Sequence, residues 1–300
     1  MADLADLYPG FESRWVDTSI GRIFARVGGE GSPLLLLHGY PQTNVMYHRV
    51  APALAERFTL VIPDLPGYGW SAVPASDADH APYTKRAMAT VMVEVMEAAG
   101  FAQFRLAGHD RGGRVAYRLA LDHPGRVSKL ALLDIVPTYD MWHGMDYKLA
   151  TRTWHWPFLA QPEPLPEILI GKLPREFQDW LLGAWSKTDA QLHFDPRALA
   201  HYRAFFEDPL RIHATCEDYR AGRKADLAAD EADRAAGKKI TCPMLALWGT
   251  TGFPAHTAGP LPIWREWATD IRGQAIDSGH FLCEEAPGPT TAALLEFLSA

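Results

Sequence analysis

The residue best placed to do chemistry is Asp110, at the centre of Gly108-His109-Asp110-Arg111-Gly112-Gly113. An apolar run precedes this segment and a segment of helical period follows it, which predicts a sharp turn from strand to helix. Flanking glycines permit such a turn, and it presents the central side chain at the carboxyl edge of a sheet, where open α/β sheets hold ligands. A carboxylate there can attack saturated carbon, and water then hydrolyses the resulting ester.

Two further residues would complete a catalytic triad around this carboxylate. His280 lies in a short loop directly after the last apolar run, where a histidine can serve as general base. The loop at 249–253 carries no carboxylate, so the acid that orients the histidine is expected at another strand end. Asp134, at the end of the run 129–133, is the candidate, although it could instead cap a turn.

The reaction class depends on what surrounds the nucleophile. The motif at 38–41, HGYP, places the backbone N–H of Tyr40 where it can form an oxyanion hole with the backbone N–H of Arg111. Both halide displacement and epoxide opening are compatible with an aspartate nucleophile and this hole. The motif therefore leaves two reaction types open.

Arg111 and Arg114 favour an anionic substrate. They are three residues apart and so are neighbours on the first turn of the predicted helix. Two guanidinium groups beside a nucleophilic carboxylate are useful if the substrate is itself a carboxylate, because they offset the like-charge repulsion and can grip it through charge-assisted hydrogen bonds. The alternative is that both arginines form salt bridges with acidic side chains at the surface.

Aromatic donors further along the chain could stabilise a departing halide. Trp154-His155-Trp156 and the Tyr219 of Glu217-Asp218-Tyr219-Arg220 carry N–H or O–H groups on mostly apolar bodies. Several such donors in a small dry pocket would stabilise fluoride, which is strongly hydrated in water. The same residues could equally be ordinary packing residues.

The elements that must position these residues follow from the apolar pattern. After a hairpin at 14–16 and 23–27, buried strands are predicted at 33–37, 59–62, 104–107, 129–133, 244–247 and 274–276, with helical segments such as 83–99 and 114–122 between them. This alternation predicts a mostly parallel, doubly wound α/β sheet with helices on both faces. Residues at about 137–220 break the alternation and predict an inserted helical cap, and 222–239 a solvated helix and linker.

Composition excludes several other classes of protein. The chain of 300 residues has a formal charge of −7, and no basic stripe is present, so we expect no nucleic-acid partner. No apolar run approaches a membrane-spanning length, and the start of the chain resembles no signal peptide, so no membrane partner and a cytoplasmic location are expected. Three separated cysteines without C-x-x-C spacing indicate neither a disulfide framework nor a metal site.

An ordered set of motifs runs along nearly the whole chain: HGYPQT (38–43), DLPGYGWS (64–71), PYTKRAMA (82–89), AGHDRGGR (107–114), HW (155–156), CEDYRAG (216–222), PMLALWG (243–249) and SGHF (278–281). On these motifs the chain resembles the fluoroacetate (haloacetate) dehalogenase family of the α/β-hydrolase fold. The resemblance implies a cofactor-free enzyme that is typically a homodimer. The break in the alternation of strands and helices divides the chain into a core at 1–136 and 222–300 and a helical cap at 137–221.

The resemblance also implies a role for each site residue. Asp110 is the nucleophile, His280 the base and Asp134 its acid; Arg111 and Arg114 bind the substrate carboxylate; His155, Trp156 and Tyr219 bind the halide; and Trp185 lines the pocket. The expected reaction converts fluoroacetate or another small 2-haloacid to the 2-hydroxy acid and halide through an ester of Asp110. The chain departs from the family at Tyr40, where phenylalanine is usual, and in the loop 250–260.

Two other functions compete with dehalogenation: epoxide hydrolysis and the non-catalytic sensing of small acids. An epoxide hydrolase with the same triad would need two cap tyrosines to protonate the epoxide oxygen; Tyr219 could be one, but the region of His155 and Trp156 offers no clear second. A non-catalytic sensor of small acids should lack a complete triad, whereas this sequence keeps all three members.

Overall fold

The computed structural model describes residues 4–188, 193–257 and 259–300. Within them, an eight-stranded sheet has the strand order β1-β2-β4-β3-β5-β6-β7-β8. The first two strands pair antiparallel with each other, β2 pairs antiparallel with β4, and all the later pairings are parallel. The strands are β1 (Glu12–Thr18), β2 (Gly21–Gly28), β3 (Ser32–Leu37), β4 (Phe58–Pro63), β5 (Phe104–His109), β6 (Val127–Leu133), β7 (Met244–Gly249) and β8 (Ile271–Ile276).

The central strands are apolar on both faces because helices cover both sides of the sheet. Leu34, Leu35, Leu36 and Leu37 of β3 are all fully buried, whereas β1, at the edge, is largely exposed. The core helices are α1 (Ala51–Ala55), α2 (Lys85–Ala98), α3 (Asp110–Asp122), α11 (Leu227–Ala235), α12 (Pro260–Arg265), α13 (Leu282–Glu285) and α14 (Pro287–Ser299). The predicted doubly wound, mostly parallel sheet is confirmed.

The segment between β6 and β7 is helical as far as it is described. It contains α4 (Thr138–His143), α5 (Tyr147–Arg152), α6 (His155–Leu159), α7 (Leu165–Lys172), α8 (Pro174–Trp185), α9 (Pro196–Phe206) and α10 (Pro209–Ala221). Many of these helices begin with proline, whose fixed φ suits the first turn. The boundaries of the cap, 137 and 221, stay a prediction.

The segment 222–239, which follows the inserted helices and leads back to the core, is less solvated than its composition indicates. Residues 222–226 form a π-helical turn that leads into α11, and Asp226 and Asp230 on this stretch are buried. Asp230 lies 2.5 Å from an Nη atom of Arg118 on α3 and accepts a hydrogen bond from the Tyr117 hydroxyl. The interpretation as a solvated helix is therefore wrong for the inner face, where buried ion pairs attach α11 to the core.

Candidate active site

Asp110 is held at a sharp strand-to-helix turn between β5 and α3. Its φ is +46°, a left-handed conformation that costs free energy in a non-glycine residue. Close approach of the chain requires a glycine two residues later, since a Cβ on Gly112 would lie 2.3 Å from the carbonyl oxygen of His38. The predicted elbow is thus present, and it exposes the Asp110 carboxylate to the groups beyond the sheet edge.

The three residues of the predicted triad lie together at this edge. The Nδ1 atom of His280 is 2.6 Å from Oδ2 of Asp134, and its Nε2 atom is 3.8 Å from Oδ2 of Asp110. All three side chains are buried, and Nε2 of His280 has no hydrogen-bond partner among the described residues. The histidine is therefore oriented by one carboxylate while its other nitrogen faces the second.

The surroundings of Asp110 favour its ionised form. Burial alone would raise its pKa, but the nearby His280, His109, Arg111 and Arg114 outweigh burial, and its pKa is lowered. The backbone N–H of Tyr40 donates to Oδ1 at 2.9 Å, which leaves Oδ2 as the oxygen nearer His280. An ionised carboxylate with one oxygen held and the other open has the form required of a nucleophile.

Asp134 is prepared as an acceptor by its own loop. It follows β6 with a φ of +53° and accepts backbone N–H groups from Gly249 at 2.8 Å and Phe253 at 3.2 Å. Burial raises the pKa of Asp134, although the hydrogen bonds from Gly249, Phe253 and His280 act to lower it. Gly252 permits this approach, because a Cβ there would lie 2.1 Å from Oδ1 of Asp134.

The histidine loop is attached to both the core and the inserted helices. The carbonyl of His280 accepts a hydrogen bond from Nε2 of His109 at 2.8 Å, and burial lowers the pKa of His109 to about 3. The backbone N–H of His280 donates to the carbonyl of Trp185, the last residue of α8, at 2.8 Å. The position of the His280 ring thus depends on the backbone of α8 as well as on the sheet.

Arg111 and Arg114 are both buried near Asp110, but their contacts differ. Arg111 donates from Nε and Nη2 to the carboxylate of Asp218, at 2.9 and 2.6 Å. Arg114 donates from Nη1 to the Val136 carbonyl at 3.0 Å and the Thr138 hydroxyl at 3.2 Å, and its buried Nε has no partner among the described residues. Arg111 thus forms a salt bridge, but with a buried acid and not with a surface acid, whereas Arg114 pairs with no acidic side chain among the described residues.

Four aromatic side chains close the space above these arginines. The guanidinium of Arg111 lies 4.2 Å from the ring centroid of Tyr219, and that of Arg114 lies 4.3 Å from the Trp156 ring. His155 packs 4.4 Å from Trp185 and 5.8 Å from Tyr219, centroid to centroid. Helices α6, α8 and α10 of the insertion therefore bring together the residues predicted for the halide site and the pocket wall. Trp154 packs against Phe158, Phe177 and Trp180, and it lines a cavity shared with Trp185 and His280.

Several polar atoms in this space are buried without a partner. Among the described residues, this is true of the Tyr219 hydroxyl, the Nδ1 atom of His155 and the Tyr40 hydroxyl. Burial lowers the pKa of His155 to about 3, so the ring is neutral, and burial followed by the charge of Asp110 keeps the pKa of Tyr219 well above its usual value. Unpaired buried donors are costly to a folded protein, and they indicate a site for a ligand that accepts hydrogen bonds.

A cavity of about 210 Å³ lies beside the triad. Its lining includes the buried His280 and Trp185, together with Arg152 and the largely exposed Trp180. Arg152 donates to the carbonyl of Thr251 at 2.9 Å, in the loop after β7. The cavity thus extends from the catalytic edge towards residues at the surface.

Sequence reasoning missed Asp218, which lies in the motif 216–222 but forms its ion pair with Arg111 across more than a hundred residues. The one available signal was its position next to Tyr219. Within the described ranges, no group of three or more His, Cys, Asp or Glu side chains could hold a metal ion.

Comparison with known proteins agrees with this geometry. The family model for the alpha/beta hydrolase fold matches residues 32–287. A curated relative, the fluoroacetate dehalogenase of a Burkholderia species, is 44% identical over 98% of this chain and 95% of its own length. The chain belongs to the fluoroacetate dehalogenase family of α/β hydrolases. The predicted family and the predicted enzyme class, a hydrolase acting on carbon–halide bonds, are confirmed.

Other members of the fold are also similar. The soluble epoxide hydrolase of Corynebacterium sp. (strain C12) is 32% identical over 90% of this chain and 91% of its own length. The crystal structure of ALR0039 from Nostoc sp. PCC 7120 is 51% identical, covers 96% of this chain and 98% of that one, and superposes with a TM-score of 0.92. None of the helices in the described part of the chain is long and apolar enough to cross a membrane.

Proposed function

We propose that this hydrolase removes halide from small 2-haloacids, with fluoroacetate as a substrate, through an ester formed on Asp110. The observation that carries the proposal is the buried Asp110 carboxylate, whose Oδ2 lies 3.8 Å from Nε2 of His280, the partner of Asp134. The guanidinium groups of Arg111 and Arg114, which lie over aromatic rings, help to lower the pKa of this carboxylate.

The first step is displacement at the α-carbon. Oδ2 of Asp110 attacks, the carbon–halogen bond breaks, and the electron pair leaves with the halide. The N–H and O–H groups of His155, Trp156 and Tyr219 stabilise the departing halide, and the arginines hold the substrate carboxylate. Two of these donors are otherwise unpaired, as expected for groups that bind a ligand atom.

The second step is hydrolysis of the ester. His280 takes a proton from water through Nε2, and the hydroxide attacks the carboxyl carbon of Asp110. The backbone N–H of Tyr40, already 2.9 Å from Oδ1, stabilises the negative charge that develops on that oxygen, together with the backbone N–H of Arg111. Collapse of the intermediate breaks the bond between the Asp110 carboxyl carbon and Oδ2, and the departing alkoxide takes the remaining proton of the added hydroxide to give the 2-hydroxy acid. Asp110 regains its carboxylate with one oxygen from water, and His280 releases its proton to solvent.

The choice of fluoroacetate rests on the 44% identical Burkholderia relative, whose name states that substrate. Fluoride release by the purified protein with fluoroacetate, followed with a fluoride electrode, tests it directly. In addition, we expect His280→Asn to release at most one equivalent of fluoride and to retain a carboxymethyl group on Asp110, detected by mass spectrometry. Absence of both fluoride release and the adduct would contradict the proposed mechanism.

One observation favours epoxide hydrolysis as a second function. The Tyr40 and Tyr219 hydroxyls are both buried without partners among the described residues, and their ring centroids are 5.6 Å apart. The hydroxyls of Tyr40 and Tyr219 together provide the two donors that an epoxide hydrolase requires, although only Tyr219 comes from the inserted helices. Either hydroxyl could protonate the oxygen of an opened epoxide. Assays with styrene oxide and with the anionic epoxide glycidate, beside fluoroacetate, separate the two functions.

We also propose a cytoplasmic location, because the three cysteines are all free thiols and two of them are buried, as is usual in a reducing compartment. A homodimer is proposed as well, formed through exposed apolar residues of helix α7.

A further inference from the structure

Asp218 is the most completely paired carboxylate near the site. It lies on α10 with none of its surface exposed. Arg111 reaches it with three hydrogen bonds, from Nε to Oδ2 at 2.9 Å and from Nη2 to Oδ1 at 2.6 Å and to the backbone carbonyl at 3.0 Å. The Tyr68 hydroxyl adds a further bond to Oδ2 at 2.9 Å. This arrangement fixes the plane of the guanidinium, because a bidentate pair leaves it little rotational freedom.

The fixed plane determines which part of Arg111 can meet a substrate. The bonds to Asp218 use Nε and Nη2, and Nη1 forms no hydrogen bond to any residue in the described part of the chain. The same guanidinium lies over the ring of Tyr219 at 4.2 Å, which restricts it from a second direction. Asp218 therefore leaves Nη1 as the free donor of an arginine whose other side is anchored.

An acid so close to Arg111 would also weaken its attraction for an anion. Lys85, on the core helix α2, forms an ion pair with the same carboxylate of Asp218 and is itself buried. Lys85 also lies 3.6 Å from Oδ2 of a second buried carboxylate, Asp226. The lysine therefore offsets part of the negative charge of Asp218, and Arg111 keeps part of its attraction for an anion. Both cations hold the pKa of Asp218 well below its usual value in spite of burial, which by itself would raise it.

We propose that Asp218 is a positioning residue that orients Arg111 towards the substrate carboxylate, and that Lys85 preserves the attraction for an anion by balancing the charge of Asp218. The inference rests on the proposed function, since it assigns the orientation of the haloacid in the same site. It also makes Arg111 dependent on the cap, because Asp218 comes from α10 and Lys85 from the core.

Replacement of Asp218 and replacement of Lys85 should have different kinetic effects. Asp218→Asn keeps the size of the side chain but removes the charge that anchors Arg111. We expect kcat for fluoroacetate to fall about 10- to 100-fold, because a misplaced substrate reacts slowly. KM should not rise, because the substitution removes a negative charge and leaves every positive charge of the site in place.

Lys85→Met removes the cation that Asp218 shares with Asp226 and leaves Arg111 as the cation paired with Asp218 among the described residues. We expect KM for fluoroacetate to rise several-fold, with a smaller change in kcat than in Asp218→Asn. KM for neutral fluoroacetamide should not rise in this variant, because the amide carries no charge for Lys85 to attract. A purely structural role of the pair would lower kcat and raise KM in the same way in both variants and for both substrates, and that result would overturn the proposal.

Asp233→Asn is a matched control. Asp233 forms an ion pair with Arg118, further along the same helix α3, and contacts neither Arg111 nor Arg114. We expect it to lower the melting temperature without changing either kinetic constant. If wild type releases no fluoride and binds no fluoroacetate by calorimetry, the proposed function fails; if wild type is active and Asp218→Asn changes only its melting temperature, the inference about Asp218 fails alone.

Discussion

At the scale of single residues, Asp110 combines a strained backbone with an open carboxylate oxygen. Asp110→Asn keeps the shape of the side chain but removes the negative charge, and an amide cannot attack the α-carbon as a carboxylate does. We expect multiple-turnover fluoride release to fall at least about 1000-fold. The assay must exclude deamidation back to aspartate by mass spectrometry; activity near wild type in a variant whose amide is intact would contradict the assignment.

Arg114 pairs with no acidic side chain in the described residues, whereas Arg111 is anchored by Asp218, so replacement of Arg114 tests binding of the substrate carboxylate without breaking an ion pair. Arg114→Lys keeps a charge but loses the planar fork, and the lost geometry should lower kcat/KM for fluoroacetate by on the order of 100-fold. The measurement is the ratio of kcat/KM for fluoroacetate to that for fluoroacetamide, which should be high in wild type and reduced in the variant. Equal turnover of both substrates by wild type would contradict a haloacid site.

Residues whose role follows from position along the chain could be predicted from the sequence, whereas those that act through distant partners could not. The place of His280 after the last strand was sufficient to nominate it, because parallel strands end at one edge. The partner of Arg111 was not predictable, since Asp218 reaches it only when the cap folds over the elbow. For the same reason the sequence could not show that the unpaired hydroxyl of Tyr40 lies near Tyr219, since the two residues meet only in the folded chain.

At the scale of elements, the boundary errors have physical causes. Helix α3 begins at Asp110, four residues before the predicted start at 114, because glycines at 112 and 113 weaken the helical pattern that the elbow nevertheless requires. Strand β8 begins at Ile271 rather than 274, since Arg272 on this edge strand interrupts the apolar run. In both cases tertiary packing overrides local preference.

Helix α13 joins the core to the inserted helices through a buried acid. Glu284 accepts a hydrogen bond from the Tyr202 hydroxyl of α9, and burial raises the pKa of Glu284 to about 8. The folded protein therefore binds a proton that the unfolded chain loses near its ordinary pKa of about 4.3. Between about pH 4.3 and pH 8, the contribution of Glu284 to the free energy of unfolding therefore falls as pH rises, by up to about 1.4 kcal/mol per pH unit.

We expect Glu284→Gln to reduce the loss of thermal stability between pH 6.5 and pH 8, because the amide does not ionise. Melting temperatures of the two proteins at both pH values measure this difference. Asp64, whose pKa burial raises to about 7, acts in the same direction and is retained in both proteins, so it cancels in the comparison. Parallel pH profiles would show that Glu284 does not titrate as described.

At the scale of the whole molecule, the inserted helices carry an exposed apolar row. Leu165, Ile168 and Leu169 on α7 and Leu173 at its end are each 50% to 59% exposed. Their spacing places them along one side of a helix, and exposed apolar patches of this kind mark association surfaces. We propose that this row contacts a second copy of the chain.

Ile168→Glu should convert a dimer to a monomer, because association would bury the introduced charge. Light scattering coupled to size-exclusion chromatography measures the mass. Trp15→Glu, on the exposed edge strand β1, is the control and should leave the mass unchanged. A wild-type protein of monomeric mass would refute the dimer itself, and a dimeric Ile168→Glu would place the interface elsewhere.

The hydrogen bond from the backbone of His280 to the carbonyl of Trp185 has a consequence for recombination between relatives. Position 279 is a glycine partly because a Cβ there would lie 2.5 Å from that same carbonyl. The end of α8 and the loop 278–281 are therefore complementary surfaces that must be inherited together. We expect a chimera that receives the inserted helices of another α/β hydrolase but keeps this loop to misplace the His280 ring. A chimera that exchanges both segments together should keep His280 next to Asp134.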